Sequence, residues 1–355
     1  MLHDSASLSR PSVTISAVNF LSDNTAAVAP EIMAALQAAN QGFAESYGAD
    51  RWSGRLDAVF SQFFDAPVRV FPVVSGTSAN ALALATLCPP YGAVFTHQDA
   101  HIVRDECGAV ENMTGGARLI LLPGVGGRVT PATLSAAVHA NPANVHTVQP
   151  RALSITQASE FGQSYRPDEL TALCACAHAN GLRVHMDGAR FANALAFLGC
   201  QPHKLTAAAG VDVLSFGATK TGALAAEAVV FFNQDLIRDF ELRRKRAGHL
   251  LSKMRYASAQ LLAYIETGVW LRNAQHANRL AVEIAAAAPT RLLLPVEANE
   301  VFLRLSGAEA AALRAVGFAF HDWGAADSSE FRFVVSWQQA QSDVDSLTTQ
   351  LRRLR

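Results

Sequence analysis

Residues 182–222 read LRVHMDGARFANALAFLGCQPHKLTAAAGVDVLSFGATKTG and hold two side chains that can do chemistry together, Asp187 and Lys220. Apolar runs at 182–186 and 211–216 have the length and bounding residues of buried parallel strands, with a helix between them. Asp187 ends the first run, followed by Gly188 and Arg190, and Lys220 follows the second among Gly217, Thr219, Thr221 and Gly222. Strand ends of this kind are where open α/β sheets bind ligands. A lysine amine for a Schiff base and a carboxylate facing a pyridine nitrogen are what pyridoxal phosphate (PLP) needs. Either residue alone reads first as an ordinary strand-end aspartate or surface lysine.

Such a site also needs a place for a phosphate and for a substrate carboxylate. The valine-rich run 68–74 leads into Ser75-Gly76-Thr77-Ser78 and then ANALALATL, a strand, a tight turn with hydroxyls, and a helix. Free N–H groups at a helix start can cradle a phosphate. Taken alone, the same residues read first as a plain Ser/Thr N-cap. GVGGR at 124–128 has the wrong glycine spacing for a dinucleotide fingerprint and leads into TPATL. Arg332 stands inside the apolar run FRFVV at 331–335. A buried arginine is rarely left unpaired, so a carboxylate is expected beside it, from the protein ahead of a substrate.

The elements that must position these residues follow from periodicity. Helices are expected from Pro30 with Ile32, Leu36 and Ala39 inward, and over a segment carrying Leu56, Val59, Phe60 and Phe63. Further strands are expected at 93–97, 118–123, 145–156 (with an interrupting proline) and 227–233. Helices are expected at 105–112, 130–140 and 167–180, the last stopped at Gly181. One long helix is expected over 235–267. It carries Arg243, Arg244, Lys245, Arg246, Lys253 and Arg255 either as a solvated face or reaching a neighbouring subunit's phosphate. Beyond Asn273 a helix (274–288), a strand (299–305), a helix (308–316), the Arg332 strand and a last helix form an α+β unit. The expected fold class is α/β with a mainly parallel sheet. Its parts are an N-terminal arm (1–30), a large domain (31–267) and a small C-terminal α+β domain (268–355). In the arm, NFLSDNT (19–25) either lines the site or caps the first helix.

Half of the 355 residues are hydrophobic, enough for a sizeable core. A net charge of −1 argues against nucleic acid or an anionic membrane as an obligate partner. The start MLHDSASLSRPS has no apolar h-region, and no run approaches the ~20 apolar residues of a membrane span. Five cysteines without a disulfide spacing predict a reduced, cytoplasmic protein. Leu170, Leu173, Cys174 and Ala177 form a helical stripe, so Cys174 is assigned to the core and no metal site to Cys174-x-Cys176.

SGTSAN, DAHI, HMDGAR and SFGATKTG occur in the order expected of fold-type-I PLP enzymes, and the set resembles the threonine aldolase family. The likeness runs from FLSDNT (20–25) to FRFVVSW (331–337), and HMDGAR with the later lysine is its most specific part. The resemblance implies that Lys220 holds PLP as a Schiff base and that Asp187 pairs with the protonated pyridine nitrogen. It gives Gly76 and Thr77 to the phosphate and His101 to the face of the ring. Ser22, Arg190 and Arg332 would grip the amino acid's α-carboxylate, and Arg255, possibly with Lys253, would touch the phosphate from a partner subunit. The implied activity is that of an aldehyde-lyase splitting β-hydroxy-α-amino acids into glycine and an aldehyde, in dimers or tetramers with shared sites. Many members carry an E-N-T-H run where this chain reads SITQASEFGQSY, without histidine. The base for the β-hydroxyl proton is therefore open among a water, His97 and His101. Leu21 stands where an arginine is common and Asn24 follows Asp23, changes that could favour bulkier substrates such as phenylserine. The alternatives are a β-eliminating lyase or aminotransferase on the same fold, or a non-catalytic PLP-binding protein, against which the full set Asp187, Lys220, Arg190 and Arg332 argues. A nicotinamide oxidoreductase is excluded, since no GxGxxG follows an early strand.

Overall fold

The computed structural model describes residues 18–325 and 327–354, so the first 17 residues of the expected arm lie outside it. The strands in chain order are β1 (Val18–Asn19), β2 (Arg69–Val73), β3 (Gly92–His97), β4 (Arg118–Leu122), β5 (Gln149–Thr156) and β6 (Arg183–Gly188). They continue with β7 (Val213–Phe216), β8 (Glu227–Phe231), β9 (Glu300–Arg304), β10 (Phe318–Ala319), β11 (His321–Trp323) and β12 (Glu330–Val334). Strands β2 to β8 form one seven-stranded sheet in the order β2-β8-β7-β6-β5-β3-β4. β7, β6, β5, β3 and β4 run parallel, and β8 is antiparallel to both its neighbours. Only ten residues, 217–226, join β7 to β8, too few for a crossover helix, so the chain must turn back. Helices cover both faces, which is why β3, β7 and β8 are buried along their whole length. Pro150 sits at the start of β5, where the register with β3 shifts between Ala93 and Val94. That irregularity accommodates a residue with no N–H to donate.

Two helical expectations are corrected. The helix expected at 105–112 is two short helices, His101–Arg104 and Ala109–Thr114. Cys107 (φ +52°) and Gly108 (φ +72°) turn the chain between them. The long helix expected over 235–267 is a 3₁₀ turn followed by Ile237–Arg246 and Arg255–Glu266, with Gly248 at φ +81° in the break. The next helix begins earlier than expected, running Val269–Ala287 from the left-handed Gly268.

The C-terminal part is an antiparallel sheet, β11-β12-β9, packed with helices Val269–Ala287 and Gln341–Leu351 around its own apolar cluster. Phe20 belongs to that cluster and meets Phe333 edge-on at 6.2 Å. β1 pairs with β10, and Val334 N–H donates to Phe20 O at 2.8 Å. The visible arm is thus stitched to the far end of the chain, which carries Ser22 and Asp23 to the end of the large sheet. Among the described residues no helix is long and apolar enough to cross a membrane.

Candidate active site

Asp187 lies at the end of β6 and is 5% exposed. Its Oδ1 accepts from Ala189 N at 2.9 Å and its Oδ2 from Asn80 Nδ2 at 2.8 Å. Asn80, in helix Gly76–Leu87, also donates to Glu106 Oε1 at 2.8 Å. Glu106 Oε1 in turn meets His101 Nδ1 at 2.8 Å. Asp187, Asn80, Glu106 and His101 therefore form one chain of polar contacts across the sheet end. The hydrogen bond to Glu106 pulls the His101 imidazole above its ordinary pKa, while burial raises the Glu106 carboxyl.

Lys220 is held in a 3₁₀ turn, Thr219–Thr221, that β8 fastens from below. The carboxylate of Glu227, first residue of β8, accepts from Ala218 N at 2.9 Å and Thr219 N at 3.4 Å. Two glycines make the approach possible. A Cβ at Gly217 would stand 2.6 Å from the Ala189 carbonyl oxygen, so only glycine lets the ends of β6 and β7 close together. Gly222 leaves the turn at φ +127° and would strike Ala29 with a side chain.

Ser75 caps helix Gly76–Leu87, its Oγ accepting from Ser78 N at 3.3 Å. The cap reading is thus realised, and it still leaves the N–H groups of the first turn to face a ligand. A Cβ at Gly76 would meet nothing within 4 Å, so the space before the turn is open. A cavity of about 270 Å³ lies there, lined by Gly76, Thr77, His101, Asp187 and Lys220. The donor set fits PLP: helix-start N–H groups for a phosphate, a fixed carboxylate for the pyridine nitrogen and an amine for the aldehyde. The orphaned buried Asn80 Oδ1 on its wall is a further polar group without a protein partner among the described residues.

A second cavity, about 880 Å³, adjoins the first and is lined by Ser22, Arg190, Arg332, Glu160, Phe161 and Trp323 among others. Arg190 grips Asp23 through two bonds, Nε–Oδ2 at 2.8 Å and Nη2–Oδ1 at 3.2 Å, and its Nη1 lies 3.4 Å from Glu300 Oε2. Burial opposes the charge on Asp23, but the Arg190 guanidinium prevails and holds its pKa below the usual value. Arg332 Nη1 lies 3.9 Å from Glu300 Oε1, and its guanidinium sits 4.8 Å from the Trp323 ring. Glu300, fully buried at the start of β9, is therefore the protein carboxylate expected beside Arg332, at a distance longer than a hydrogen bond.

Of the residues named from sequence, Lys220, Asp187, Gly76, Thr77, His101, Ser22, Arg190 and Arg332 all line these two adjoining cavities. Arg255 does not. Its Nη1 donates to Gly42 O at 3.1 Å and its guanidinium lies 5.1 Å from the Tyr256 ring. His97 is also elsewhere engaged: Nδ1 accepts from Asp99 N and Nε2 meets Gly124 O, both at 3.1 Å. Cys174 is fully buried, and among the described residues no His/Cys/Asp/Glu group could hold a metal ion. Sequence reasoning missed Asn80, Glu106, Glu160 and Glu300. Only Glu300 left a signal, a carboxylate at the mouth of the apolar run VFLRL.

The family model for beta-eliminating lyases matches residues 19–308. A low specificity L-threonine aldolase from Pseudomonas sp. (strain NCIMB 10558) is 44% identical over 337 residues, spanning 94% of this chain and 96% of that protein. A threonine aldolase structure from Leishmania major has a TM-score of 0.89 at 24% identity, covering 95% of this chain and 99% of that one. A serine palmitoyltransferase from Sphingomonas wittichii has a TM-score of 0.69 at 14% identity, covering 94% and 86%. These structural likenesses establish the fold, that of the fold-type-I PLP enzymes. With one family model over most of its length and a relative 44% identical from end to end, the chain belongs to the beta-eliminating lyase family of PLP enzymes, among the low specificity L-threonine aldolases.

Proposed function

We propose that this protein is an aldehyde-lyase that cleaves threonine, allo-threonine and related β-hydroxy-α-amino acids into glycine and an aldehyde. The observation that carries the reading is the meeting of Asp187, Lys220 and the Gly76–Thr77 helix start around one cavity, with Arg332 in the cavity beside it. Bound PLP supplies an electron sink for the pair left on Cα. Lys220 anchors the cofactor through its amine, and Asp187, fixed by Asn80 and Ala189, opposes the pyridine nitrogen. Gly76 and Thr77 would offer N–H groups to the phosphate, and His101, tethered to Glu106, would face the ring.

Ser22 and Arg332 bind the substrate's α-carboxylate. Arg190 is largely saturated by Asp23, so it acts as a fixed positive wall and Arg332 makes the more adaptable contact. Holding the carboxylate would fix which Cα bond faces the electron sink that PLP would supply, and orientation of this kind can supply several kcal/mol. Phe161 and Trp323 border the outer cavity, which has room for a β-substituent as large as phenyl. Arg255 reaches a phosphate only from the partner subunit of a homodimer or homotetramer in the cytoplasm. The chain divides into an arm to residue 30, a large domain to 267 and a small domain beyond.

Incubating the protein with threonine and PLP, with no keto-acid acceptor, should release equal amounts of glycine and acetaldehyde. Ammonia and a keto acid in their place would assign the chain to β-elimination instead. Borohydride should bleach the bound-cofactor absorbance and label Lys220; label on any other residue would remove Lys220 from its role.

A further inference from the structure

We propose that Glu160 takes the proton from the substrate's β-hydroxyl, a role that rests on the aldolase reading above. Cleavage of Cα–Cβ requires that this proton leave as the carbonyl forms. Its acceptor has to stand where the cofactor cavity opens into the outer one. Five residues border both: Asn24, His101, Glu160, Arg190 and Lys220. An asparagine amide accepts no proton, Arg190 is a cation bound to Asp23, and Lys220 carries the cofactor. His101 has Nδ1 committed to Glu106, a bond that favours its protonated form. Glu160 remains.

Its carboxylate is held chiefly through Oε1, and its own backbone N–H also supports the charge. Oε1 accepts from His101 N and from Thr156 Oγ1, both at 2.8 Å. Oε2 is buried and meets no hydrogen-bond donor among the described residues. A carboxylate with one oxygen fixed and the other unclaimed is a poor structural cap and a suitable proton acceptor. Burial lifts its pKa to about 7, where half the population can accept a proton at neutral pH and the acid formed can return it. The charged or titratable groups around it are His101, Asp187, Arg190, Tyr165, Lys220 and, across the outer cavity, Arg332.

The step balances. The O–H proton passes to Glu160, the O–H electron pair becomes the second bond of the aldehyde carbonyl, and the Cα–Cβ pair stays on the glycine carbon, where PLP accommodates it. A proton then returns to that carbon, and Glu160 gives up its own to solvent.

Glu160→Gln keeps an acceptor for His101 N and Thr156 and removes the basicity. In the holoenzyme it should lower kcat for threonine cleavage by roughly 100- to 10,000-fold. Exchange of glycine's α-hydrogen into heavy water, which involves no β-hydroxyl, should stay within about threefold of wild type. Without cofactor, NMR of protein labelled with ¹³C-glutamate should show one carboxyl titrating near pH 7 that is missing from the variant. Glu160→Asp should cleave threonine faster than Glu160→Gln and keep the fall in kcat/KM below pH 7. Unchanged cleavage in Glu160→Gln, an equal loss of exchange and cleavage, or survival of the titrating carboxyl would each overturn the proposal. A wild-type protein that exchanges glycine's hydrogen yet releases no aldehyde from threonine would instead defeat the aldolase reading itself.

Discussion

Asp23, Arg190, Glu300 and Arg332 make an alternating line of charge in which each group lies beside one of opposite sign. The bidentate Arg190–Asp23 end is tight and the Arg332–Glu300 end is loose, at 3.9 Å. The loose end has donors to spare for an incoming carboxylate, so Arg332→Ala should raise KM for the amino acid by about 10- to 100-fold with a smaller change in kcat. An unaltered KM from steady-state kinetics would mean that Arg332 serves only Glu300. At the tight end the folded-state pKa of Asp23 is depressed. Its contribution to stability is therefore present above its unfolded pKa, about 4, and disappears as the pH falls through the lowered value. Asp23→Asn should cost about 3 kcal/mol at pH 7, and the gap from wild type should narrow below pH 4 in urea denaturation. A gap that stays constant with pH would mean that the Asp23 charge contributes nothing to the fold.

At the scale of elements, the site depends on how closely β6 and β7 approach where they end. Gly217→Ala would force a Cβ against Ala189, and pushing the two ends apart should cost about 1–3 kcal/mol and weaken PLP binding as measured by cofactor titration. Retained affinity would show that the Lys220 turn tolerates the shift. The strands of the large sheet were legible because they are written as apolar runs, whereas β1, β10 and β11, two or three residues each, are too short to leave a pattern. Asp187 was legible because it directly follows such a run, and Lys220 because it stands in the Gly/Thr turn just beyond one. The helix breaks were not, since they rest on left-handed residues, Cys107 with Gly108 and Gly248, inside stretches of good helix formers. The reversal of β8 was hidden because an apolar run carries no sign of direction. Asn80 and Glu106 escaped notice for another reason: Asn80 meets Glu106 across 26 residues and Asp187 across 107, distances over which no local pattern extends.

Across the whole molecule, Phe20 is the pin that sets the N-terminal arm against the C-terminal sheet. Phe20→Ala should destabilise the protein by about 3–5 kcal/mol. It should also raise KM, because Ser22 and Asp23 lose their fixed position; a variant that is destabilised but normal in KM would separate the arm from the site. The pin joins segments that emerge from synthesis far apart in time. Asn299 Nδ2 donates to Asp23 Oδ2 at 3.1 Å across 276 residues, and Val334 bonds Phe20. A growing chain therefore holds Asp187 and Lys220 long before anything can grip a substrate. Only when β12 has left the ribosome can Val334 bond Phe20 and Arg332 take its place in the bay, so a grip on substrate should arrive after that strand, and a product truncated before it should lack one.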